Sequence, residues 1–335
     1  MTVPLIVFAA PELDDHDTPP WHPEHHGRLD AALAGVHEAG LTDATEWRVP
    51  DAADPADLTR VHDAGYVASI EAFCAAGGGN LDPDTIATPG SWGTARRSAG
   101  AVLDGIAALR DGECEIAFAA GRPPGHHAVR DRAMGFCLFN SAAVGAAKIV
   151  AGGEKVAIVD WDVHHGNGTQ DIFYGEPDVL YVSTHESPLY PGTGQLAETG
   201  SGAGEGTTVN LPFPSGTAGD TFRRAFDEVV VPKVERFEPD WLIISAGFDA
   251  HRNDPLAGLD LTAGDYADLA ARLQSLVQAR RVLVVLEGGY DLQSITRSVG
   301  ATLSSLVGGS YRPEPASNGE IGGATVTAAR RLWDL

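Results

Sequence analysis

Short, almost unbroken apolar runs recur along this chain, at residues 5–9, 117–120, 156–159, 241–248 and 282–286. Runs of this length and apolarity read as strands buried on both faces of a sheet. Between and around them lie stretches of helical composition and spacing, at 27–39, 56–76, 91–109, 140–150, 218–237, 262–279, 291–307 and 324–335. Thr262, with Asp265 following, has the form of an N-cap with a capping box. The alternation of strand and helix predicts an α/β fold, doubly wound, with a parallel sheet and helices on both faces.

The polar residues that follow these apolar runs carry chemistry. Asp160, Asp162 and His164 alternate just beyond 156–159, and in extended backbone alternate residues point the same way. A carboxylate and an imidazole converging at a strand end are two parts of a divalent-metal site with O and N ligands. Asp249, which ends the run beginning at Trp241, is the candidate third ligand. The run at 117–120 leads to the tandem pair His126 and His127, and that at 282–286 leads to Gly288-Gly289-Tyr290. Open α/β sheets bind ligands at the carboxyl edge of their strands. One pocket there can hold metal ligands, a histidine pair for proton transfer and a tyrosine hydrogen-bond donor.

These segments, RPPGHHA (122–128), GFCLFN (135–140), DWDVHHGNGTQ (160–170), YPGTG (190–194), SAGFDAH (245–251) and LEGGYDL (286–292), resemble the histone deacetylase superfamily. That superfamily includes acetylpolyamine amidohydrolases and bacterial deacetylase-like amidohydrolases. An early HPE (22–24) followed by Arg28 also fits. The matches run in family order over most of the chain and are specific as a set. The resemblance implies the arginase/deacetylase type of fold, with a central parallel sheet of about eight strands.

It also implies roles. Asp162, His164 and Asp249 would hold zinc, although an oxygen-rich site also accepts iron or cobalt. His127 would be general base and acid, and His126 would stabilise charge. Asp160 would orient His126 and Asn167 would orient His127. Where some members carry a carboxylate at 167, this chain has an amide, as in the class II branch and its bacterial relatives. An amide oxygen should raise the basicity of His127 less than a carboxylate does. Tyr290 would donate to the developing oxyanion. Gly135, Phe136, Tyr190 and Leu256 would line the acyl tunnel. Leu256 stands where a polyamine-selective branch has Glu, which disfavours a polyamine. A structural potassium ion is implied near Asp160, Asp162, His164, Ser183 and Thr184.

The expected activity is hydrolysis of an N-acetyl or short N-acyl amide of a primary amine, in a peptide or a small molecule. The alternatives are a ureohydrolase on the same fold, which needs a two-metal ligand set, and a non-catalytic acyl-lysine reader, which predicts loss of a site residue. A site built from segments between 117 and 290 favours one catalytic domain over 1–310, with 311–335 as a tail packing on it. The Gly-rich stretch 192–206 reads as a long surface loop near the site.

Composition narrows the partners. The formal net charge of −23 leaves no basic footprint for nucleic acid but permits cationic substrates. No segment has the apolar length to span a bilayer, and the first ten residues lack a basic n-region. Three scattered cysteines do not form a disulfide framework, so a reducing cytoplasm is the default, and Cys137 reads as a buried thiol. A homo-oligomer is compatible with the sequence. His22, His25 and His26 read as solvent-exposed residues at the tunnel mouth.

Overall fold

The computed structural model describes residues 2–335. Its strands are β1 (Val3–Phe8), β2 (Thr45–Arg48), β3 (Gly79–Asn80), β4 (Ile86–Ala87), β5 (Cys114–Ala119), β6 (Val156–Asp160), β7 (Val179–Glu186), β8 (Thr208–Phe213), β9 (Trp241–Ala246) and β10 (Val282–Leu286). Eight of them form one sheet in the order β2-β1-β5-β10-β9-β6-β7-β8, and every pairing in it is parallel. The remaining two, β3 and β4, make a small antiparallel hairpin.

The helices are α1 (Gly27–Glu38), α2 (Pro55–Leu58), α3 (Ala64–Ala75), α4 (Ser91–Arg110), α5 (Ser141–Val150), α6 (Asn167–Phe173), α7 (Gly219–Ala225), α8 (Val231–Phe237), α9 (Ala263–Leu273), α10 (Leu292–Leu306) and α11 (Gly323–Trp333). Side chains alternate across each strand, so one sheet yields two cores. Leu5, Val159 and Ile244 join the core under α1 and α7 to α11. Ile6, Ile158 and Ile243 join the core under α2 to α5, where Phe173 of α6 also packs. This is the α/β arrangement expected from the alternation, with helices on both faces of the parallel sheet.

Three helical expectations change in detail. The stretch 56–76 is two helices, because the chain turns at 59–63 so that His62 points inward. Its Nδ1 meets Val129 O at 3.0 Å, and Asn140 N–H donates to its Nε2 at 2.9 Å. The stretch 218–237 is continuous but passes through a π-helical segment, Phe226–Val230, just before Pro232. A proline has no N–H for the helical ladder, and a π-bulge accommodates that loss. Helix α9 stops at Leu273 rather than at 279, with Arg280 at a positive φ of 65° before β10. The capping box at Thr262 and Asp265 is present.

The tail also packs on the sheet. Helix α11 lies against β8, where Thr325 Oγ1 donates to Pro212 O at 2.9 Å, and Lys233 Nζ sits 3.6 Å from the Trp333 ring centre. Two strands in from this edge, β6 ends at Asp160, in register with Ser183 of β7 and Ser245 of β9. The segments after β5, β6, β9 and β10 therefore leave the sheet side by side.

Candidate active site

Beyond β6 the chain turns so that Asp162 and His164 face Asp249, which follows β9. His164 Nδ1 lies 3.2 Å from Asp162 Oδ1 and 3.2 Å from Asp249 Oδ2. The other oxygen of each carboxylate is taken by backbone. Gly288 N–H donates to Asp162 Oδ2 and Val163 N–H donates to Asp249 Oδ1, both at 2.8 Å. One ligand atom from each residue is left, all within 4.8 Å of one another.

Two carboxylates buried face to face require a positive charge between them. Burial lowers the basicity of His164, but hydrogen bonds to Asp162 and Asp249 outweigh it and push the imidazole up to about 10. The cradle thus accepts a positive charge, and its O, O and N donors fit a divalent cation with positions left open for water and substrate. Gly288 closes its base, because a Cβ there would run into the carboxylate oxygens of both Asp162 and Asp249.

The histidine pair follows β5, with ring centres 4.1 Å apart. His126 Nδ1 lies 3.0 Å from Asp160 Oδ2, and His127 Nδ1 lies 2.8 Å from Asn167 Oδ1 at the start of α6. The amide oxygen only accepts, so His127 carries its proton on Nδ1 and leaves Nε2 as a base. Burial lowers His126, but Asp162 and Asp160 overcome it and hold the imidazole well above the usual range. Burial, with His126 and His164 beside it, holds His127 well below that range. Neighbours of one type are thus driven apart, one cationic and one neutral, as acid–base sites require.

A cavity of about 230 Å³ opens above these groups. His127, His164 and Tyr290 line it together with Gly135, Phe136, Tyr190 and Leu256. Tyr190 meets His127 edge-on at 5.1 Å between ring centres, and Phe136 meets Tyr290 at 5.7 Å. Gly135 has φ +56°, and a Cβ there would strike the His127 ring. Phe136 itself has φ 67°, a costly conformation held by its N–H donating to Thr85 Oγ1 at 3.1 Å. Tyr290 receives the Arg28 guanidinium 4.9 Å from its ring centre. Burial keeps its phenol well above the ordinary range, despite Arg28, so it remains a donor.

The Histone deacetylase domain profile matches residues 22–306. A protein of Archaeoglobus fulgidus described as "Probable deacetylase" is 40% identical over 294 residues, covering 86% of this chain and 81% of its own length. A "Histone deacetylase-like amidohydrolase" of Pseudomonas aeruginosa is 40% identical over 275 residues, covering 80% of this chain and 72% of its own. The crystal structure of the HDA15 HD domain superposes with a TM-score of 0.90 at 38% identity, covering 99% of this chain and 94% of that one. The chain belongs to the histone deacetylase family. It is a hydrolytic deacetylase enzyme, and its sheet is that of its deacetylase neighbour.

Several residues of this histone deacetylase domain carry more than their motifs foretold. Glu24 of HPE is fully buried and takes Arg122 through Nε at 2.6 Å and Nη2 at 2.8 Å, Arg28 at 3.0 Å and His16 at 3.2 Å. Burial raises its carboxyl, but Arg122 and His16 outweigh that and hold it well below the usual range. Arg122 opens the loop that bears the histidine pair, so the early motif anchors the late one. Glu287 Oε2 accepts from the backbone N–H of Gly125 at 2.7 Å and of His126 at 3.1 Å, gripping the same loop from below. Tyr181 donates to Asp160 Oδ2 at 3.2 Å. Asp84, in the turn between β3 and β4, and Leu189 also line the cavity. Asp84 lies away from any motif and Leu189 just outside YPGTG, so neither was singled out, whereas Glu24 and Glu287 lay inside motifs already visible.

One expectation is corrected. His22 is not a solvent-exposed rim residue: it is 4% exposed, and its ring packs edge-on against Phe136 at 4.8 Å. Its Nε2 lies 3.0 Å from Asp84 O, so it wedges the β3–β4 turn against the tunnel wall. His26 is exposed and His25 is half-buried. Cys137 is buried and free, as expected, with its thiol donating to Gly135 O at 3.3 Å.

Proposed function

We propose that this deacetylase is zinc-dependent and hydrolyses the amide of an N-acetylated or short N-acylated primary amine presented on an aliphatic chain, with acetyl-lysine preferred over acetylpolyamine. The single observation that carries the reading is the convergence of Asp162, His164 and Asp249 beside a cavity that His164 lines together with His127 and Tyr290. A zinc ion in that cradle supplies Lewis acidity for the acyl carbonyl and lowers the pKa of a water. The chain supplies the rest. His127 Nε2 takes the proton of the attacking water, and Nδ1 stays bonded to Asn167. His126, paired with Asp160, places positive charge beside the developing negative charge. The Tyr290 hydroxyl donates to the carbonyl oxygen as it becomes an oxyanion. His127 then returns its proton to the departing amine.

Phe136 and Tyr190 present aromatic faces and edges to an alkyl chain, and Leu256 offers no anchor for a second ammonium group, which leaves Asp84 as the carboxylate among the residues lining the cavity. This supports a lysine side chain as the occupant. A potassium ion held by Asp160, Asp162, His164, Ser183 and Thr184, all of them buried, belongs to the same reading through the family resemblance alone. Among the described residues one three-ligand cluster gathers, which favours a one-metal deacetylase over a two-metal ureohydrolase. The retained His127 and Tyr290 favour an enzyme over a reader. Among the described residues no helix is long and apolar enough to cross a membrane. Three free buried cysteines support a cytoplasmic setting. The test is acetate release from an acetyl-lysine peptide and from N8-acetylspermidine, acetylputrescine and acetylcadaverine, with and without a hydroxamate.

A further inference from the structure

We propose that Asp254 is a positioning residue that fixes the oxyanion donor Tyr290 and the rim residue Leu256 to one another. The proposal rests on the role given to Tyr290 above. Asp254 is 6% exposed, yet among the described residues no Lys, Arg or His forms an ion pair with it. A buried carboxylate without a counter-ion is costly unless hydrogen bonds satisfy it. Asp254 is satisfied by backbone from separate loops. Leu256 N–H donates to Oδ1 at 3.0 Å, and Tyr290 N–H donates to Oδ2 at 2.7 Å, with Asp291 N–H at 3.3 Å. Leu256 lies in the loop after β9 and Tyr290 in the loop after β10, and both line the same cavity.

The need for such a tie lies in the sequence around Tyr290. It follows Gly288 and Gly289, the latter at φ +119°, so no side chain there stiffens the backbone. Asp254 supplies that restraint on one side. On the other, Arg28 Nε donates to Gly289 O at 2.5 Å. Asp291 in turn caps α10 by accepting from Ser294 N–H at 2.9 Å, so the tie continues into a rigid helix. An oxyanion donor works only when held in place, since displacement by about 1 Å costs on the order of a hundredfold in rate. Through Asp254, the residue that stabilises the transition state and the residue that admits the acyl chain share one support.

Asp254→Asn keeps the volume but offers one acceptor oxygen where two are used, and turns an NH₂ toward a backbone N–H. Expected is a loss in kcat of about tenfold or more, with zinc stoichiometry unchanged. In a Tyr290→Phe background the same substitution should change kcat by less than about twofold, because the group it positions is gone. A full, multiplicative loss in that background overturns the proposal. A readout independent of turnover uses 3-fluorotyrosine, which labels the seven tyrosines. The ¹⁹F resonance lost in Tyr290→Phe should be the one that shifts or broadens in Asp254→Asn, while an unmoved Tyr290 resonance overturns the proposal. In the unsubstituted protein the amide protons of Leu256 and Tyr290 should exchange slowly with solvent, and fast exchange of either also overturns it. Absence of deacetylase turnover in the unsubstituted enzyme counts against the proposed function alone, since the spectrum and the exchange rates still decide the role of Asp254.

Discussion

His127 Nδ1 is bonded to an amide oxygen, Asn167 Oδ1 at 2.8 Å, whereas His126 Nδ1 is bonded to a carboxylate, Asp160 Oδ2 at 3.0 Å. Burial beside His126 and His164 keeps His127 neutral, which a neutral amide partner allows, while Asp162 together with Asp160 holds His126 as a cation. Replacing Asn167 with Asp puts a negative charge beside His127 and favours its protonated form. The acid limb of the kcat/KM profile should move to higher pH, by about one unit. An acid limb that stays in place would remove His127 from the role of base.

Tyr290→Phe keeps the ring against Phe136 and Arg28 and removes only the donor. Turnover should fall by roughly ten- to a thousandfold, as loss of an oxyanion donor does elsewhere. Metal content should stay the same, because Tyr290 is outside the ligand cluster. Parallel measurement of kcat and bound zinc separates these outcomes, and a variant that turns over normally would leave the oxyanion without its proposed donor.

Gly288→Ala tests the cradle without touching a ligand. The added methyl would press on the oxygens of Asp162 and Asp249 and strain the Gly288 N–H bond to Asp162. Zinc affinity should drop by about ten- to a hundredfold, the usual effect of disturbing a group that orients metal ligands. Competition with a chelator of known affinity reads this directly. Unchanged affinity would mean that the carboxylates move aside freely.

Much of this site was legible because catalysis demands particular residues where strands end. Asp162, His164, Asp249, His126, His127 and Tyr290 follow apolar runs, and the parallel sheet brings those ends together. The tunnel residues Gly135, Phe136, Tyr190 and Leu256 were legible through resemblance alone. Strands β7 and β8 were harder to read. VLYVSTHE is wholly buried yet ends in Ser, Thr, His and Glu, and TVNLPF contains Asn and Pro, so neither shows an unbroken apolar run. Glu24 and Glu287 lay inside visible motifs, but in a chain with 46 acidic residues nothing local marked them, or Asp254, as buried acids that hold arginine or backbone. Burial, which separates these classes, follows from tertiary packing and has no local signature. The inward turn of His62 was hidden for the same reason.

His62 gives the fold a pH dependence that can be calculated in sign. Burial pushes its imidazole down to about 4, below the ordinary 6.5, despite backbone carbonyls that favour its charged form. The unfolded chain therefore binds the proton first as pH falls. Its contribution is complete above the ordinary value and is lost between 6.5 and about 4. That loss is about 3 kcal/mol. Stability measured by urea unfolding should decline across this window, and His62→Asn should flatten the slope. An equally steep slope in the variant would assign the effect to other groups.

The most direct test of the central claim is acetate release from an acetyl-lysine peptide by the chelator-stripped protein, before and after reloading with zinc, with an Asp249→Ala variant alongside. Turnover is expected to vanish on stripping, to return with zinc, to be blocked by a hydroxamate, and to be absent in Asp249→Ala together with bound metal. Turnover by fully stripped protein, or full zinc occupancy in Asp249→Ala, would contradict the metal site on which the reading stands.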